Sequence, residues 1–119
     1  SIINISSDLG IIAPNHRIYK PSNFIKPVSY SAVKHAIIGL TKYTASYWAS
    51  KNVRCNAIAP GGMFNNQNKN FLSNIKKLIP LKRLAKKNEF NSLILYLASK
   101  ESSYVTGTTI SIDGGRTII

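Results

Sequence analysis

"SYSAVKHAIIGLTKYTASYWASKNVRCNAIAPGG", residues 29–62, holds a helix and a strand joined by a few polar residues. Ser29 stands where an N-cap belongs. Val33, Ile37, Leu40, Thr44 and Trp48 recur at helical spacing, so a helix is expected to about Ser50. "NVRCNAIAP" (52–60) then reads as a short strand that stops at Pro60-Gly61-Gly62. Within the helix Tyr30 precedes Lys34 by four positions, which puts a phenol and an ammonium on one face.

Working outward, "SIINIS" (1–6) alternates and is rich in β-branched residues, so it reads as a strand with no turn or cap before it. A chain that opens inside a strand is expected to be a piece of a longer one. Across residues 10–28, Pro14, Asn15, Pro21, Ser22, Asn23 and Pro27 break every period, and loops of that length are often functional. The Asn-rich "MFNNQNKN" leads into a helix over 68–78, closed by Pro80. Asn88 caps a further helix over 89–99, with Phe90, Leu93, Ile94 and Leu97 on one face. "GTTISIDGG" (107–115) supplies a last strand and a glycine turn. This order of elements is that of an α/β layer with parallel pairing. Right-handed crossovers would place the long helix and the later helix on the same face of the sheet.

A chain of 119 residues suits one domain, and 44% hydrophobic content argues against wholesale disorder. No run of about 18 apolar residues offers a membrane span, and the N-terminus lacks the pattern of a signal peptide. The single cysteine, Cys55, has no internal disulfide partner, which suits a cytoplasmic protein. Sixteen Lys and Arg against four Asp and Glu give a net charge of +12, a balance that invites a nucleic-acid reading. The cations are scattered from Arg17 to Arg116, however, and the densest cluster, "KKLIPLKRLAKK" (76–87), is interrupted by apolar residues and Pro80. Aromatics are not interleaved with them as a stacking surface requires. Neither nucleic acid nor membrane is therefore the expected partner.

Tyr30 and Lys34 carry the first chemical signal. A free phenol titrates near pH ~10, and a neighbouring ammonium favours the phenolate, which suits general acid or base work. Alone, Y-x-x-x-K is more often a half-buried tyrosine beside a snorkelling lysine. Here it has company. "INISS" offers hydroxyls at the C-terminal end of a strand, where α/β sheets place ligands, and "NAIAPGG" exposes backbone donors at the same edge. Other residues keep plain roles. His16 and His35 have no partner at metal-ligand spacing, so no metal site is expected. Cys55 is read as a small core residue, Trp48 as a core or subunit contact, and Asp113 as a turn-forming carboxylate.

"IINISS", "YSAVKHAIIGLTK", "VRCNAIAPGG" and "TGTTISIDGG", in that order and spanning nearly the whole chain, resemble the short-chain dehydrogenase/reductase family. The resemblance implies the C-terminal half of a Rossmann-type, doubly wound parallel sheet over residues 1–119. The family's glycine-rich dinucleotide turn, acidic ribose-binding position and upstream catalytic asparagine are not in this sequence and are expected before Ser1. The resemblance also implies an NAD- or NADP-dependent oxidoreductase, assembled as a dimer or tetramer, acting on a small-molecule carbonyl or alcohol. By the same resemblance Tyr30 is the catalytic acid/base, while Lys34 tunes it and holds the nicotinamide ribose. Ser7 orients the substrate, with Ser6 a structural cap. Pro60, Gly61 and Met63 form the turn that meets the nicotinamide carboxamide.

Two departures from the family pattern bear on substrate. Asn65 stands where many members carry threonine after that turn, and the stretch from Ser7 to Tyr30 is longer by "APNHRIYKPSNFIKP". Arg17, Lys20 and Lys26 in this stretch, with no acidic residue among them, suit an anionic group. The loop and "PGGMFNNQ" resemble members associated with surface-sugar and flagellin-modification pathways, which implies a phosphorylated or nucleotide-linked sugar. The alternatives are a simple alcohol or fatty-acyl ketone as substrate, a solvated loop whose cations face water, and, for the chain as a whole, a truncated non-catalytic relic or interaction module.

Overall fold

The computed structural model describes residues 1–119. Strands β1 (Ile2–Ile5), β2 (Cys55–Pro60) and β3 (Thr109–Ile112) form one parallel sheet in the order β1-β2-β3. Helix α1 (Val28–Trp48) joins β1 to β2, and α2 (Lys69–Lys77) and α3 (Asn91–Ala98) lie between β2 and β3. Central β2 is buried from Cys55 to Ala59, as an unbroken apolar and small-residue run covered on both faces should be. No helix is long and apolar enough to cross a membrane.

Two helix starts differ from expectation. Helix α1 begins at Val28 with Pro27, not Ser29, at the N-cap, and no side chain caps it. The Tyr30 amide donates instead to the Pro27 carbonyl at 3.1 Å. Asn88 falls inside a 3₁₀ turn, Lys87–Phe90, that precedes α3. The residue that fixes this turn is Glu89, whose carboxylate accepts from the Lys86 amide at 2.7 Å and from both ends of the Arg83 guanidinium at 2.6 Å. Lys86, not Asn88, is the cap position, and the Glu89 carboxylate reaches back to its amide while Arg83 holds that carboxylate in place.

The two long crossovers do not share a face, contrary to the expectation from handedness. Asn4 Nδ2 donates to Thr41 Oγ1 of α1 at 2.9 Å, and Ser6 Oγ donates to the Lys34 carbonyl at 2.7 Å, so alternate residues of β1 point at α1. Ser1, of opposite parity, donates to the Leu97 carbonyl of α3 at 2.8 Å, and Arg54 reaches the Leu97 and Ser99 carbonyls at 3.1 and 3.0 Å. Helix α3 therefore covers the other face. Both connections step the same way along the sheet, so with β1–α1–β2 right-handed the return to β3 is left-handed. The right-handed preference belongs to a strand feeding directly into its helix. The chain from β2 first detours through α2, which frees it to cross on the other side.

The buried stripe of α1 is also rotated from the expected one. Thr41 and Ala45 are buried against the sheet, whereas Val33, Leu40 and Trp48 are 55%, 57% and 45% exposed. The polar Asn4 on β1 selects this face, because its amide needs the Thr41 hydroxyl when buried. Trp48 accordingly lies outside the core, edge-on to Tyr47 at 5.1 Å. The long stretch before α1 is mostly exposed but is anchored at one point. Its 3₁₀ turn His16–Tyr19 drives Ile18 into a cluster with Ile75, Ile79 and Leu84. Cys55 is fully buried as a core residue, and burial pushes its thiol pKa up.

The hydrogen bond from Arg83, with the Lys86 amide, lowers the Glu89 pKa to about 2, against the opposing effect of desolvation. A carboxyl whose pKa is depressed in the folded state stabilises that state above its ordinary value, and the contribution fades as pH falls through about 2. Carbon NMR of the Glu89 carboxyl is expected to show titration well below the usual range, returning towards it in Arg83→Gln. A further expectation concerns residues 1–119 produced alone. Only 19 of 119 residues are buried, Ile2 and Ile5 of edge strand β1 are 41% and 48% exposed, and the radius of gyration is 15.6 Å. A compact domain of this length would have about 13.5 Å. Denaturant unfolding should therefore give a stability below the usual ~5 kcal/mol. Fluorescence titration should show no micromolar affinity for NADH.

Candidate functional site

The C-terminal ends of β1 and β2 open into a cleft of about 370 Å³. Two hydrogen bonds running in opposite directions fix its floor. Ser6 Oγ donates to the backbone carbonyl of Lys34, and Lys34 Nζ donates to the Ile5 carbonyl at 2.9 Å. Together they bind the end of β1 to the first turns of α1. Gly10 seals the same contact: a Cβ there would overlap Ser6 Oγ and lie 2.7 Å from the Lys34 carbonyl oxygen. Gly61 makes a second close approach, since its Cβ would lie 2.7 Å from Asp113 Cα beyond β3.

Ser7, Tyr30 and Lys34 all line this cleft, as do Pro60, Gly61 and Met63. Lys34 Nζ lies 5.7 Å from the centre of the Tyr30 ring, and Lys26 Nζ lies nearer, at 4.0 Å over the ring face. Lys26 is thus the one loop cation, of the three expected, that reaches the cleft. Arg17 and Lys20 do not line it: the turn that buries Ile18 leaves both on its exposed side. Asn65 is likewise outside and exposed, with its amide N–H donated to Gln67 Oε1 at 2.9 Å. His16 and His35 are exposed, and no group of His, Cys, Asp and Glu is gathered at metal-binding range.

Sequence reasoning missed two features of the cleft. The first is a buried ion pair, Arg116 Nη1 to Asp8 Oδ2 at 2.6 Å, joining residues 108 positions apart. Asp8 Oδ1 accepts from Ser7 Oγ at 2.9 Å and from the Leu9 amide at 2.7 Å. Removing one partner of such a pair strands a buried charge, at a cost of about 3–5 kcal/mol. An acid directly after "SS" and an arginine directly after "DGG" were visible, but nothing in the sequence joins them. The second is an aromatic wall in which Tyr19 stacks on Phe71 at 5.6 Å and meets Phe24 edge-on at 4.7 Å. Burial raises the Tyr19 pKa, Arg116 opposes this, and Asp8 and Tyr30 add to it.

Asp113 is a turn carboxylate, as expected. It accepts from the Gly115 amide at 2.9 Å and the Thr117 amide at 2.8 Å. Burial acts to raise its pKa, but bonds from Thr117 and Gly115 prevail and hold it below the ordinary range. The turn so fixed carries Arg116 back beneath Asp8.

A family model described as enoyl-(acyl carrier protein) reductase matches residues 1–117. The 3-oxoacyl-[acyl-carrier-protein] reductase FabG of Thermotoga maritima is 39% identical over 122 residues, covering 99% of this chain and 46% of that protein. Post-translational flagellin modification protein A of Campylobacter coli is 32% identical over 115 residues, covering 97% of this chain and 45% of that protein. The chain thus spans under half the length of these curated relatives. Among solved structures, a short chain dehydrogenase from Leptospira borgpetersenii with bound NAD+ superposes with a TM-score of 0.91 at 38% identity. That match covers 98% of this chain and 44% of the other. A 4-hydroxyisoleucine dehydrogenase complexed with NADH superposes with a TM-score of 0.86 at 33% identity, covering 99% and 47%.

The packing around Gly10 generates a sharp expectation. Gly10→Ala must push Ser6 and the start of α1 apart, so thermal melting should show a loss of about 1–3 kcal/mol. Gly39→Ala, at a helix position with nothing within 4 Å of its Cβ, should instead be neutral or stabilising.

Proposed function

This chain belongs to the short-chain dehydrogenase/reductase family, and from that premise we propose that residues 1–119 are the catalytic C-terminal half of an NAD(P)-dependent oxidoreductase. The observation that carries the reading is the presence of Ser7, Tyr30 and Lys34 in one cleft beside the 60–63 turn. In the direction of reduction, Tyr30 gives its phenolic proton to the substrate oxygen; in oxidation it takes that proton back. Ser7 orients the same oxygen region. Lys34 uses one N–H on the Ile5 carbonyl and keeps two for other partners, which fits the paired hydroxyls of a nicotinamide ribose. The backbone of Pro60, Gly61 and Met63 would meet the carboxamide. When bound, the nicotinamide supplies or accepts the hydride, and the protein contributes orientation and proton transfer. No glycine-rich strand–turn–helix occurs in residues 1–119, so the pyrophosphate contacts would come from other residues of the full-length protein.

The relatives' names span acyl-carrier-protein thioesters, flagellin modification and a hydroxylated amino acid, so the shared chemistry is redox at a carbonyl or alcohol while the substrate varies. Here Lys26 favours an anionic substrate, a phosphorylated or nucleotide-linked sugar. It stands over Tyr30 with no carboxylate partner, and the one acid lining the cleft, Asp8, is engaged by Arg116. The exposed apolar side of α1, with Leu40, Tyr43, Tyr47 and Trp48, supports assembly into a dimer or tetramer. The location consistent with this function and with a free Cys55 is the cytoplasm.

In the full-length protein Tyr30→Phe should lower kcat by about 100-fold or more while leaving the thermal melt and NADH binding near wild type. Wild-type turnover in that variant would overturn the acid/base role of Tyr30. Lys26→Ala should raise KM for UDP-N-acetylglucosamine or a sugar phosphate and leave KM for a neutral ketone unchanged.

A further inference from the structure

The 60–63 turn closes one side of the cleft, and a later stretch of chain holds it there. Phe64 N–H donates to the Ala85 carbonyl at 2.9 Å, and Ala85 N–H donates to the Gly62 carbonyl at 3.0 Å. These two bonds make a single parallel bridge between Met63 and Ala85. In that pattern Gly62 and Phe64 supply the groups facing Ala85, and the peptide groups of Met63 itself face the other way. The Met63 carbonyl accepts from Gln67 Nε2 at 2.8 Å, while its N–H has no hydrogen-bond partner within the protein. Met63 lines the cleft, so the position of Ala85 decides where this donor points.

Side-chain packing does not fully fix Ala85. A second cavity, of about 240 Å³, adjoins the bridge and is lined by Gly62, Ala85, Arg83 and Glu89 among others. One ion pair holds the backbone on both sides of Ala85 instead. The Glu89 carboxylate accepts from both ends of the Arg83 guanidinium at 2.6 Å and from the Lys86 amide at 2.7 Å. Arg83 Nη1 also donates to the Leu84 carbonyl at 3.2 Å. The Leu84 carbonyl shares a planar peptide unit with Ala85 N–H, and the Lys86 amide shares one with the Ala85 carbonyl. The pair therefore grips the outer ends of the same two peptide planes whose inner ends hold Gly62 and Phe64.

Resting on the oxidoreductase reading above, in which this turn meets the nicotinamide carboxamide, we infer that Arg83 and Glu89 are positioning residues that aim the Met63 N–H at that carboxamide. Their side chains are 46% and 34% exposed, and an exposed pair adds little to overall stability. A bidentate pair does fix direction, so its effect is local. It falls on the nicotinamide end of the dinucleotide and spares the adenosine diphosphate end.

NADH and ADP-ribose form a matched probe pair, since the second is the first without its nicotinamide. Calorimetric titration of the full-length protein gives both dissociation constants; NADPH and 2′-phospho-ADP-ribose replace them if wild type binds those more tightly. Arg83→Gln should weaken NADH by about three- to tenfold, the worth of one well-aimed neutral hydrogen bond, and leave ADP-ribose binding unchanged. Without any dinucleotide, the Phe64 and Ala85 amides should exchange with deuterium faster in this variant than in wild type. Glu89→Ala removes the other half of the pair and provides the same test where Arg83→Gln does not melt cooperatively. A merely structural role would weaken both ligands alike. Equal losses for the two ligands, an unchanged NADH affinity, or unchanged exchange at both amides in a folded variant overturns the proposal and leaves the oxidoreductase reading standing. A wild-type protein that binds NADH no more tightly than ADP-ribose overturns the carboxamide reading of the turn and this proposal together.

Discussion

The site depends on how the end of β1 is tied to the start of α1. Ser6 gives its hydroxyl proton to the Lys34 carbonyl while the Lys34 ammonium returns to the Ile5 carbonyl, two bonds of 2.7 and 2.9 Å. Both acceptors are backbone oxygens, one at the end of β1 and one inside α1, so the two bonds tie strand to helix. Because Ser7 follows Ser6 and Tyr30 lies one turn before Lys34, this single junction fixes the Ser7 and Tyr30 hydroxyls relative to each other. Gly10 is part of the same constraint, since the junction leaves no room for a Cβ.

A second constraint comes from across the sheet. Strand β3 ends in a turn held by Asp113, and that turn delivers Arg116 beneath Asp8. Gly61, at the end of β2, passes within contact of Asp113, so the ends of all three strands meet in one small volume. Serine orientation, the cleft floor and the last turn of the chain are thereby coupled. A cleft built this way can tolerate an exposed loop on one side, because its geometry is set from the sheet and from α1.

The stretch between Ser7 and Tyr30 acquires a defined part in this arrangement. Ile18 anchors it to Ile75 of α2 and to Ile79 just beyond that helix, which brings Tyr19 and Lys26 to the cleft and leaves Arg17 and Lys20 outside. Charge alone could not separate the three cations. Which of them faces the cleft follows from which neighbour is apolar enough to be buried, and Ile18 is the residue that sets the phase of the turn.

The strands, the three helices, the parallel α/β class and the meeting of Ser7, Tyr30 and Lys34 with the Pro60–Gly61 turn were legible in the sequence. Each follows from local periodicity, from turn chemistry, or from the rule that parallel strands bring their C-terminal ends to one edge. Local reading went astray where a distant partner decided the outcome. Asn4 chose the face of α1 by its need for Thr41, Glu89 displaced Asn88 because Arg83 was within reach, and the detour through α2 put α3 on the opposite face of the sheet. The Asp8–Arg116 pair is the extreme case: its members are 108 residues apart and carry no shared motif. Sequence alone determined the strands and the helices, with the strand end and helix start that carry Ser7, Tyr30 and Lys34, since backbone periodicity is a local property. Tertiary structure alone decided which of them touch, because burial of a charge or an amide is resolved only by whatever partner the folded chain places beside it.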